Sequence, residues 1–534
     1  MNTTTGSPRA PVRTRIGLLL LLIPALLVSM DLSVLFVAAP AIARDLEPTA
    51  AQWLWMMDVY GFVLAGLLVT MGSLGDRIGR RRLLLTGALL FGLASALLAL
   101  APSSGLFIVG RALLGLAGAT LAPSTLSLIR AMFTDARQRA AAVGAWTVAF
   151  TGGAVAGPII GGALLEFFPW GSVFLINLPF MALLLLSGPF LVPESRDPAG
   201  ARFDLPGALL SLMAILGLVY AVKRLVEYGI DPRAIGTLAL GLLLLTLFVR
   251  RQRRVEHPLI DLSLFARPAF GAAVTGNAVV SFAAAGMGLL TFTFLQSVHG
   301  LGPLHAALWA LPTLLGTVLG ATVSGTLSSR VRPAPIMAAG LALGAGGFAV
   351  IALVRPDTAL PIFVGGYTLI TLGVGMVGAL ANTLVLATAP PERSGAAAGI
   401  SETGTELGAA LGVAALGTIS LTAYRNGMAG VDGPAGETVT GAVDTAPGLP
   451  AAEAERLLEG AFAAFTHGVN IAALACVALL GALSLVVLVA LRRLPAGTEA
   501  PDPHGPIPDR IETRPERRDA HRGRRAGRRD RNTV

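Results

Sequence analysis

Cysteine is almost absent from this sequence. Cys476 is the one cysteine in 534 residues, which excludes an intramolecular disulfide and a thiolate metal cluster. The six histidines are dispersed along the chain and show none of the spacings typical of a metal site. We therefore expect no metal and no cofactor, and these absences argue against a membrane enzyme.

Charge is scarce as well. Only 13% of the residues are charged and 54% are apolar, and the mean hydropathy of +0.72 lies well outside the range of soluble globular proteins. Apolar stretches of about 20 residues, each long enough to cross a hydrocarbon layer about 30 Å thick, recur from Ile16 to Leu491. We count fourteen of them. The sequence therefore predicts an all-α membrane protein with fourteen transmembrane helices.

The basic residues are distributed unequally between the two sides. The N-terminal tail and the loops on its side hold 20, whereas the opposite loops hold 7. Because cytoplasmic loops are enriched in Lys and Arg, we predict that both termini are cytoplasmic. We also expect the membrane to be a bacterial inner membrane. Residues 495–534 hold ten arginines but no aromatic residue and no periodicity. We predict a disordered tail that binds no nucleic acid and contacts at most anionic lipid headgroups.

Two parts of the chain, about 250 residues apart, resemble each other. Segment 5 begins Arg137-Gln138-Arg139-Ala140-Ala141-Ala142, and segment 13 begins Arg393-Ser394-Gly395-Ala396-Ala397-Ala398. Phe107 and Gly110 of segment 4 likewise match Phe363 and Gly366 of segment 12. Many secondary transporters are duplicated in this way, with the substrate site between the halves.

This repeat predicts the domain organisation. Segments 1 to 6 and 9 to 14 form two related six-helix bundles, and segments 7 and 8 are inserted between them. We expect an N-terminal tail, a first bundle, the two inserted helices, a second bundle with an extracytoplasmic loop inside it, and a basic tail, at residues 1–15, 16–200, 201–255, 256–494 (loop 422–464) and 495–534.

A long sequence rich in glycine and arginine follows segment 2, and it reads Gly72-Ser73-Leu74-Gly75-Asp76-Arg77-Ile78-Gly79-Arg80-Arg81-Arg82. Gly72 and Gly79 allow a tight turn and close helix approach. Asp76, Arg77 and Arg80 can form charged contacts that latch one face of the protein. This sequence resembles the loop signature of the major facilitator superfamily, and the alternative is a plain basic cytoplasmic loop.

Segment 5 carries glycines at a four-residue spacing. Gly153, Gly157 and Gly161 make a flat ridge where a second helix can approach closely, and Pro158 adds a bend. Packing alone is one interpretation of such glycines. In the superfamily the pattern resembles the antiporter signature, and this resemblance implies export rather than symport.

The opening of the chain extends the resemblance. Met30-Asp31-Leu32-Ser33-Val34, Leu54-Trp55-Met56-Met57-Asp58-Val59-Tyr60 and Pro193-Glu194-Ser195 after segment 6 are similar to the 14-spanner drug:proton antiporters that export quaternary ammonium compounds. The resemblance, which includes the two inserted helices, implies a major facilitator fold. Some members carry an additional acid in segment 10 where this sequence has Thr317, so we do not expect specialised handling of dications.

Few ionisable residues fall at membrane depth, and each costs about 3 kcal/mol at a helix centre. We predict that they handle protons and cations: Asp31, Asp58, Arg111, Glu402 and Glu406. Asp31 is the expected member of a shared proton and cation site, and a structural hydrogen bond is its alternative. Arg111 needs an acidic or carbonyl partner, and the sequence leaves open whether that pair is structural or a proton relay.

Glu402 and Glu406 are four residues apart and share one helix face. Across the repeat they correspond to Trp146 and Phe150. We therefore predict a central cavity with carboxylates from one half and aromatic rings from the other. Such a cavity suits a lipophilic cation, since cation–π attraction adds about 1 to 2 kcal/mol when the charge is desolvated. Trp55 either adds another ring or belongs to an interfacial aromatic belt.

The function predicted from these observations is multidrug efflux. The transporter would exchange protons for lipophilic cationic drugs, dyes or quaternary ammonium compounds by alternating access, as a monomer in the lipid bilayer. An exporter of a self-made antibiotic or other neutral metabolite is the first alternative. A non-transporting membrane sensor is the second.

Overall fold

The part of the chain that the structure describes is helical. This computed structural model describes residues 11–133, 135–196, 204–228, 231–255, 258–260, 262–328, 330–388 and 394–492, and no strand occurs among them. The predicted basic tail 495–534 and residues 1–10 of the predicted N-terminal tail lie outside the described residues. The rest of that N-terminal tail is largely helical, because the first helix begins at Val12.

Long helices follow one another along the chain, and we number them α1 to α14. Their bounds are Val12–Leu46 (α1), Ala50–Ile78 (α2), Arg80–Ala99 (α3), Ser104–Met132 (α4), Ala136–Phe167 (α5), Ser172–Leu175 with Asn177–Leu191 (α6), Leu205–Tyr228 (α7), Pro232–Gln252 (α8), Pro268–Thr293 (α9), Pro303–Trp309 with Leu311–Ser328 (α10), Pro333–Ile351 (α11), Leu360–Thr388 (α12), Ser394–Gly427 (α13) and Ala451–Ala490 (α14).

Most of these helices can cross a membrane. Among the described residues, eleven helices are long and apolar enough, and twelve when the two arms of α5, bent by 40°, count as one span. Two further helices, α2 and α7, hold the shorter apolar stretches Gln52–Leu68 and Leu205–Ala221. The predicted all-α membrane fold is confirmed. The count of fourteen spans stays a prediction.

Local sequence sets several helix ends. The Gln52 N–H donates to the Thr49 hydroxyl oxygen while the Thr49 N–H donates to the Gln52 side chain, a capping box that begins α2. Gly79 separates α2 from α3 within one residue, because its φ of 109° lies in the region that glycine adopts without strain. Proline opens α8, α9 and α11, where its missing N–H removes no intrahelical bond.

Helices α1–α6 and α9–α14 form two bundles, and most of the buried apolar residues of each belong to a hydrophobic core of its own. A few residues cross over, such as Val37 of α1 in the second core and Leu289 of α9 in the first. Phe107 in the first core and Phe363 in the second, which occupy matched positions of the repeat, are both fully buried. Between the bundles, the inserted helix α7 packs across the seam of α2 and α13. Its Val219 joins a small apolar cluster with Phe62 of α2 and Ala410 of α13.

The glycine ridge of α5 packs against α1. A Cβ at Gly153 would overlap the Leu26 carbonyl oxygen, and one at Gly157 would lie 2.9 Å from the Met30 carbonyl oxygen. In the second bundle, α13 uses Gly408 and Gly412 against α9 in the same manner, where Cβ atoms would overlap the carbonyl oxygens of Ala278 and Phe282. Both pairs of glycines have the same four-residue spacing. In both bundles, glycines at this spacing let the backbone of a second helix approach closely.

The connector before the last helix is shorter than the predicted loop 422–464. Helix α13 continues to Gly427, and α14 begins at Ala451, so both ends of the predicted loop are helical. Two short helices, Pro434–Glu437 and Val439–Thr445, fill the connector. Residues 451–464 continue α14 because they contain strong helix formers and no glycine before Gly460.

Candidate functional site

A cavity of about 330 Å³ lies between the two bundles. Its walls come from α1, α2 and α5 on one side and from α9, α10, α12 and α13 on the other, and most of its lining is apolar. Its acidic residues are Asp58 of α2 and Glu406 of α13, which are only 2% and 5% exposed. The volume falls within the range of small-molecule sites. A cation that enters it would meet two carboxylates in mostly apolar surroundings.

Glu402 lies one turn from Glu406 on α13 and is half-buried. The cavity wall on this helix begins at Thr405, so Glu402 stands beyond its edge, on the side of the first turn of α13. The face shared by the two acids was predicted, but only Glu406 lines the cavity.

Asp31 does not line the cavity. Its Oδ2 atom accepts a hydrogen bond of 2.7 Å from Arg111 Nη1, and both side chains are only 1% exposed. Arg111 thus has the acidic partner that the sequence required. Asp31, Glu402 and Glu406 do not line one shared site, because only Glu406 faces the cavity. A helix turns by about 200° over two residues. Asp31 therefore points nearly opposite to the cavity residues Ser29 and Ser33, which lie two positions before and after it.

Neighbouring residues enclose the Asp31–Arg111 pair within the first bundle. The Arg111 guanidinium lies 4.5 Å from the centre of the Tyr60 ring, and the Tyr60 hydroxyl donates to the Val28 carbonyl oxygen over 3.3 Å. Asn177 of α6 is also buried and donates to Ser95 Oγ over 3.1 Å. The pair is therefore a second charged centre, separate from the cavity.

The cavity contains more aromatic residues than the sequence predicted. Phe150 lines it, whereas Trp146 stacks behind Phe150 with ring centres 5.3 Å apart and donates its indole N–H to Thr125 Oγ1. Trp55 is half-buried and is not among the lining residues. Three further rings were missed: Phe36, Phe292 and Tyr367.

A helical pattern could have found one of these rings. Ser29, Leu32, Ser33 and Phe36 follow the 3-and-4 spacing of one helix face, and all four line the cavity. Phe292 and Tyr367 belong to two different helices of the second bundle, and only the fold brings them to the same cavity.

The sequence after α2, for which we predicted charged contacts, forms a turn at Gly79. A Cβ at Gly79 would lie 2.7 Å from Glu194 Oε1, and the Arg81 N–H donates to this same oxygen over 3.0 Å. Arg196 Nε donates to the Arg77 carbonyl oxygen, and the Arg80 N–H donates to the Ser195 carbonyl oxygen.

Residues 194–196, which follow α6, therefore bind this turn. The sequence did not predict this contact. Gly72 lies inside α2, and a Cβ there would be in ordinary contact with Pro123. The Asp76 side chain lies outside the described part of the structure.

Pro158 combines two features of α5. It lines the cavity, and the two arms of the helix, Ala141–Ala154 and Ala156–Phe167, meet two to four positions before it. Proline removes the hydrogen bond to the carbonyl four residues before it, so a bend at this place is expected. Gly161 continues the contact with α1 beyond the bend, at Val34.

Contacts between the bundles occur on the side of the membrane opposite the N-terminus. Arg44 Nε donates to Asp444 Oδ1 over 2.6 Å, and Gln296 Nε2 donates to the Val37 carbonyl oxygen over 3.0 Å. Gln296 sits in a π-helical turn, Phe294–Val298, that ends α9. These bonds join the end of α1 to the second bundle, and opening the protein on this side requires that they break.

Two bundles of duplicated helices around a central cavity are the architecture of a secondary transporter. The model of the Major Facilitator Superfamily matches residues 21–413. The chain belongs to this superfamily.

The chain is also similar to characterised proteins. It is 43% identical to the multidrug efflux pump LfrA of Mycolicibacterium smegmatis, over 92% of this chain and 99% of that protein. It is 35% identical to the methyl viologen resistance protein SmvA of Salmonella typhimurium, over 83% and 92%. Among solved structures it resembles an inward-facing, unoccupied bacterial homologue of the lysosomal transporter Spinster, with a TM-score of 0.63, 18% identity and coverage of 91% and 98%.

Proposed function

We propose that this chain is a multidrug efflux transporter that exchanges protons for lipophilic cations. The observation that carries the proposal is the central cavity, where Asp58 and Glu406 are the acidic residues in a mostly apolar, partly aromatic wall. The two relatives, an efflux pump and a methyl viologen resistance protein, support this assignment. We further propose that one chain is sufficient for transport, because its two bundles enclose the whole cavity.

Exchange follows from the cost of burying a charge. An ionised carboxylate in an apolar cavity is unfavourable unless a cation neutralises it, so Glu406 binds either a proton or the cationic substrate, and Asp58 is the second acid of the same cavity. Glu402, beyond the edge of the cavity, would attract the arriving cation. Exchanging one proton for one monovalent cation moves no net charge and draws only on the pH gradient, about 1.4 kcal/mol per unit. A second proton would add the membrane potential, about 2.3 kcal/mol per 100 mV.

We propose that the protein lies in the inner membrane with both termini in the cytoplasm. We assign the described conformation to the inward-facing state. The excess of basic residues on the side of the N-terminus supports this orientation. The bonds from Arg44 and Gln296 join the bundles on the opposite side. In this orientation they close the extracytoplasmic end of the cavity.

Inverted membrane vesicles with an imposed pH gradient, acid inside, test the proposal. The wild-type protein should accumulate ethidium while the gradient lasts and should not accumulate a neutral compound of similar size. Glu406→Gln and Asp58→Asn should each reduce ethidium uptake at least tenfold, because each variant removes a carboxylate that contacts the cation. The measurement is the initial rate of fluorescence change.

Glu166→Gln is the matched control, since Glu166 is exposed at the end of α5 and does not line the cavity. It should transport at the wild-type rate. Full ethidium uptake by both cavity variants would refute the assignment of the carboxylates. Preferential transport of the neutral compound by the wild type would favour the exporter of a neutral metabolite instead.

A further inference from the structure

One polar group in the cavity has no role in the exchange described above. The hydroxyl of Tyr367, on α12, belongs to a side chain that lines the cavity and is only 9% exposed. Among the described residues, no hydrogen bond joins this hydroxyl to a protein atom. Buried tyrosines usually place the hydroxyl against a partner, so this one needs explanation.

Three other hydroxyls of the cavity wall differ from that of Tyr367 in one respect. Ser33, Thr313 and Thr405 each donate to a carbonyl oxygen of their own helix, three or four residues back. Ser29 and Ser281 also line the cavity, and their hydroxyls are on short side chains of the same kind. A short side chain can always satisfy itself in this way within a helix. The phenol of a tyrosine is too long to reach the backbone of its own turn. Its partner must come from another part of the protein or from the contents of the cavity.

The position of the Tyr367 hydroxyl is well defined. Gly288 of α9 faces it, and a Cβ at this glycine would lie 3.4 Å from the hydroxyl oxygen and 3.1 Å from the ring of Phe36. Gly288, Phe36 and Tyr367 come from three helices and all line the cavity. The bare backbone at Gly288 thus allows an aromatic ring and a phenol hydroxyl to approach the same point of the wall.

The cavity therefore contains two kinds of recognition group on different helices. The carboxylates come from α2 and α13, and the phenol comes from α12, beside the ring from α1. A phenol is a good hydrogen-bond donor, and its natural complement is a carbonyl, ether or ring-nitrogen acceptor.

We propose that Tyr367 is a specificity-determining residue that donates a hydrogen bond to an acceptor on the transported cation. The inference rests on the proposed export of lipophilic cations and narrows the substrate class. The preferred substrate carries a positive charge for Asp58 and Glu406 and, elsewhere in the molecule, an uncharged hydrogen-bond acceptor for Tyr367. Cations without an acceptor are transported through charge and apolar contact alone.

Tyr367→Phe tests the proposal, because it removes the hydroxyl and keeps the ring. Uptake of tetraphenylphosphonium, which has no acceptor, is measured in inverted vesicles. It is competed by two quaternary ammonium compounds of equal chain length, one saturated and one with an ester carbonyl in the chain. The variant should raise the half-inhibitory concentration of the ester compound by about 2- to 13-fold, the range of one net hydrogen bond, and leave that of the saturated compound unchanged.

Tetraphenylphosphonium uptake by the variant itself reports whether it is folded and active. Tyr424→Phe is the control, since the Tyr424 hydroxyl donates to the Ala435 and Thr438 carbonyl oxygens outside the central cavity, and this change should not discriminate between the competitors. An equal effect of Tyr367→Phe on both competitors, or no effect on the ester compound, would overturn the inference. Absence of cation uptake by the wild type would instead contradict the proposed function.

Discussion

Neutralising Arg111 while Asp31 remains in place should destabilise the protein strongly. The two side chains are 1% exposed and joined by a bond of 2.7 Å, so Arg111→Gln leaves a buried carboxylate without its counter-charge. Breaking a buried pair by removing one partner costs about 3 to 5 kcal/mol. The double variant Asp31→Asn, Arg111→Gln removes both charges and keeps two groups that can hydrogen-bond, so it should recover most of that loss.

Thermal unfolding of the purified variants in detergent measures this cycle. The unfolding midpoint should fall most for Arg111→Gln and should recover in the double variant. The pair Arg44–Asp444, whose side chains are 60% and 32% exposed, is the control, because neutralising Arg44 should cost about 1 kcal/mol or less. A midpoint for Arg111→Gln equal to that of the wild type would show that the two charges do not depend on each other.

The same variants separate a structural role from a part in proton exchange. If the pair only holds α1 against α4, the double variant should export cations at the wild-type rate. If Asp31 exchanges protons, the double variant should be stable but should not accumulate ethidium against its gradient. Ethidium uptake in inverted vesicles, beside the unfolding midpoint of the same preparation, decides between these roles.

Two further predictions concern the helix contacts. Gly153→Ala should lower the unfolding midpoint clearly, because the added methyl group meets the backbone of α1. Gly152→Ala is the control and should leave the midpoint unchanged, because a Cβ there meets no atom within 4 Å. Equal midpoints for the two variants would refute the packing argument. Cysteines in place of Arg44 and Asp444, joined by a short bifunctional thiosulfonate, should stop transport until a reductant is added, and unchanged transport by the cross-linked protein would refute a need for this side to open. The natural Cys476 is buried and should not react with the reagent. The controls are the two variants that carry only one of the new cysteines.

The sequence was sufficient to predict features that repeat or have a helical period. Apolar segments predict membrane helices because length and hydropathy are local properties. The glycine spacing of segment 5 predicted a ridge for close helix approach, without naming α1 as the helix that packs there. The acids on α13 share a face, as their four-residue spacing requires. In each case the information lies within one helix.

Features that depend on two helices were harder to predict. The phase of α1 places Asp31 away from the cavity, and Asp31 alone does not reveal this, because the cavity face is defined by Ser29, Leu32 and Ser33. Nothing near Gly79 in the sequence points to Glu194, more than 100 residues away, as its neighbour. The phenol of Tyr367 became a candidate only when the fold brought it beside Gly288.

If Asp31 exchanges protons, its separation from the cavity constrains how protons and substrate can be coupled. Asp31 and the cavity-lining Ser33 are both on α1, on different faces, so a change at Asp31 can reach the cavity through this one helix. Gly153 and Gly157 of α5 pack against the backbone of α1 beside these residues, and α5 itself lines the cavity. Coupling through this route requires α1 and α5 to move together. Larger residues at the two glycines should therefore impair coupling before they impair binding of the cation.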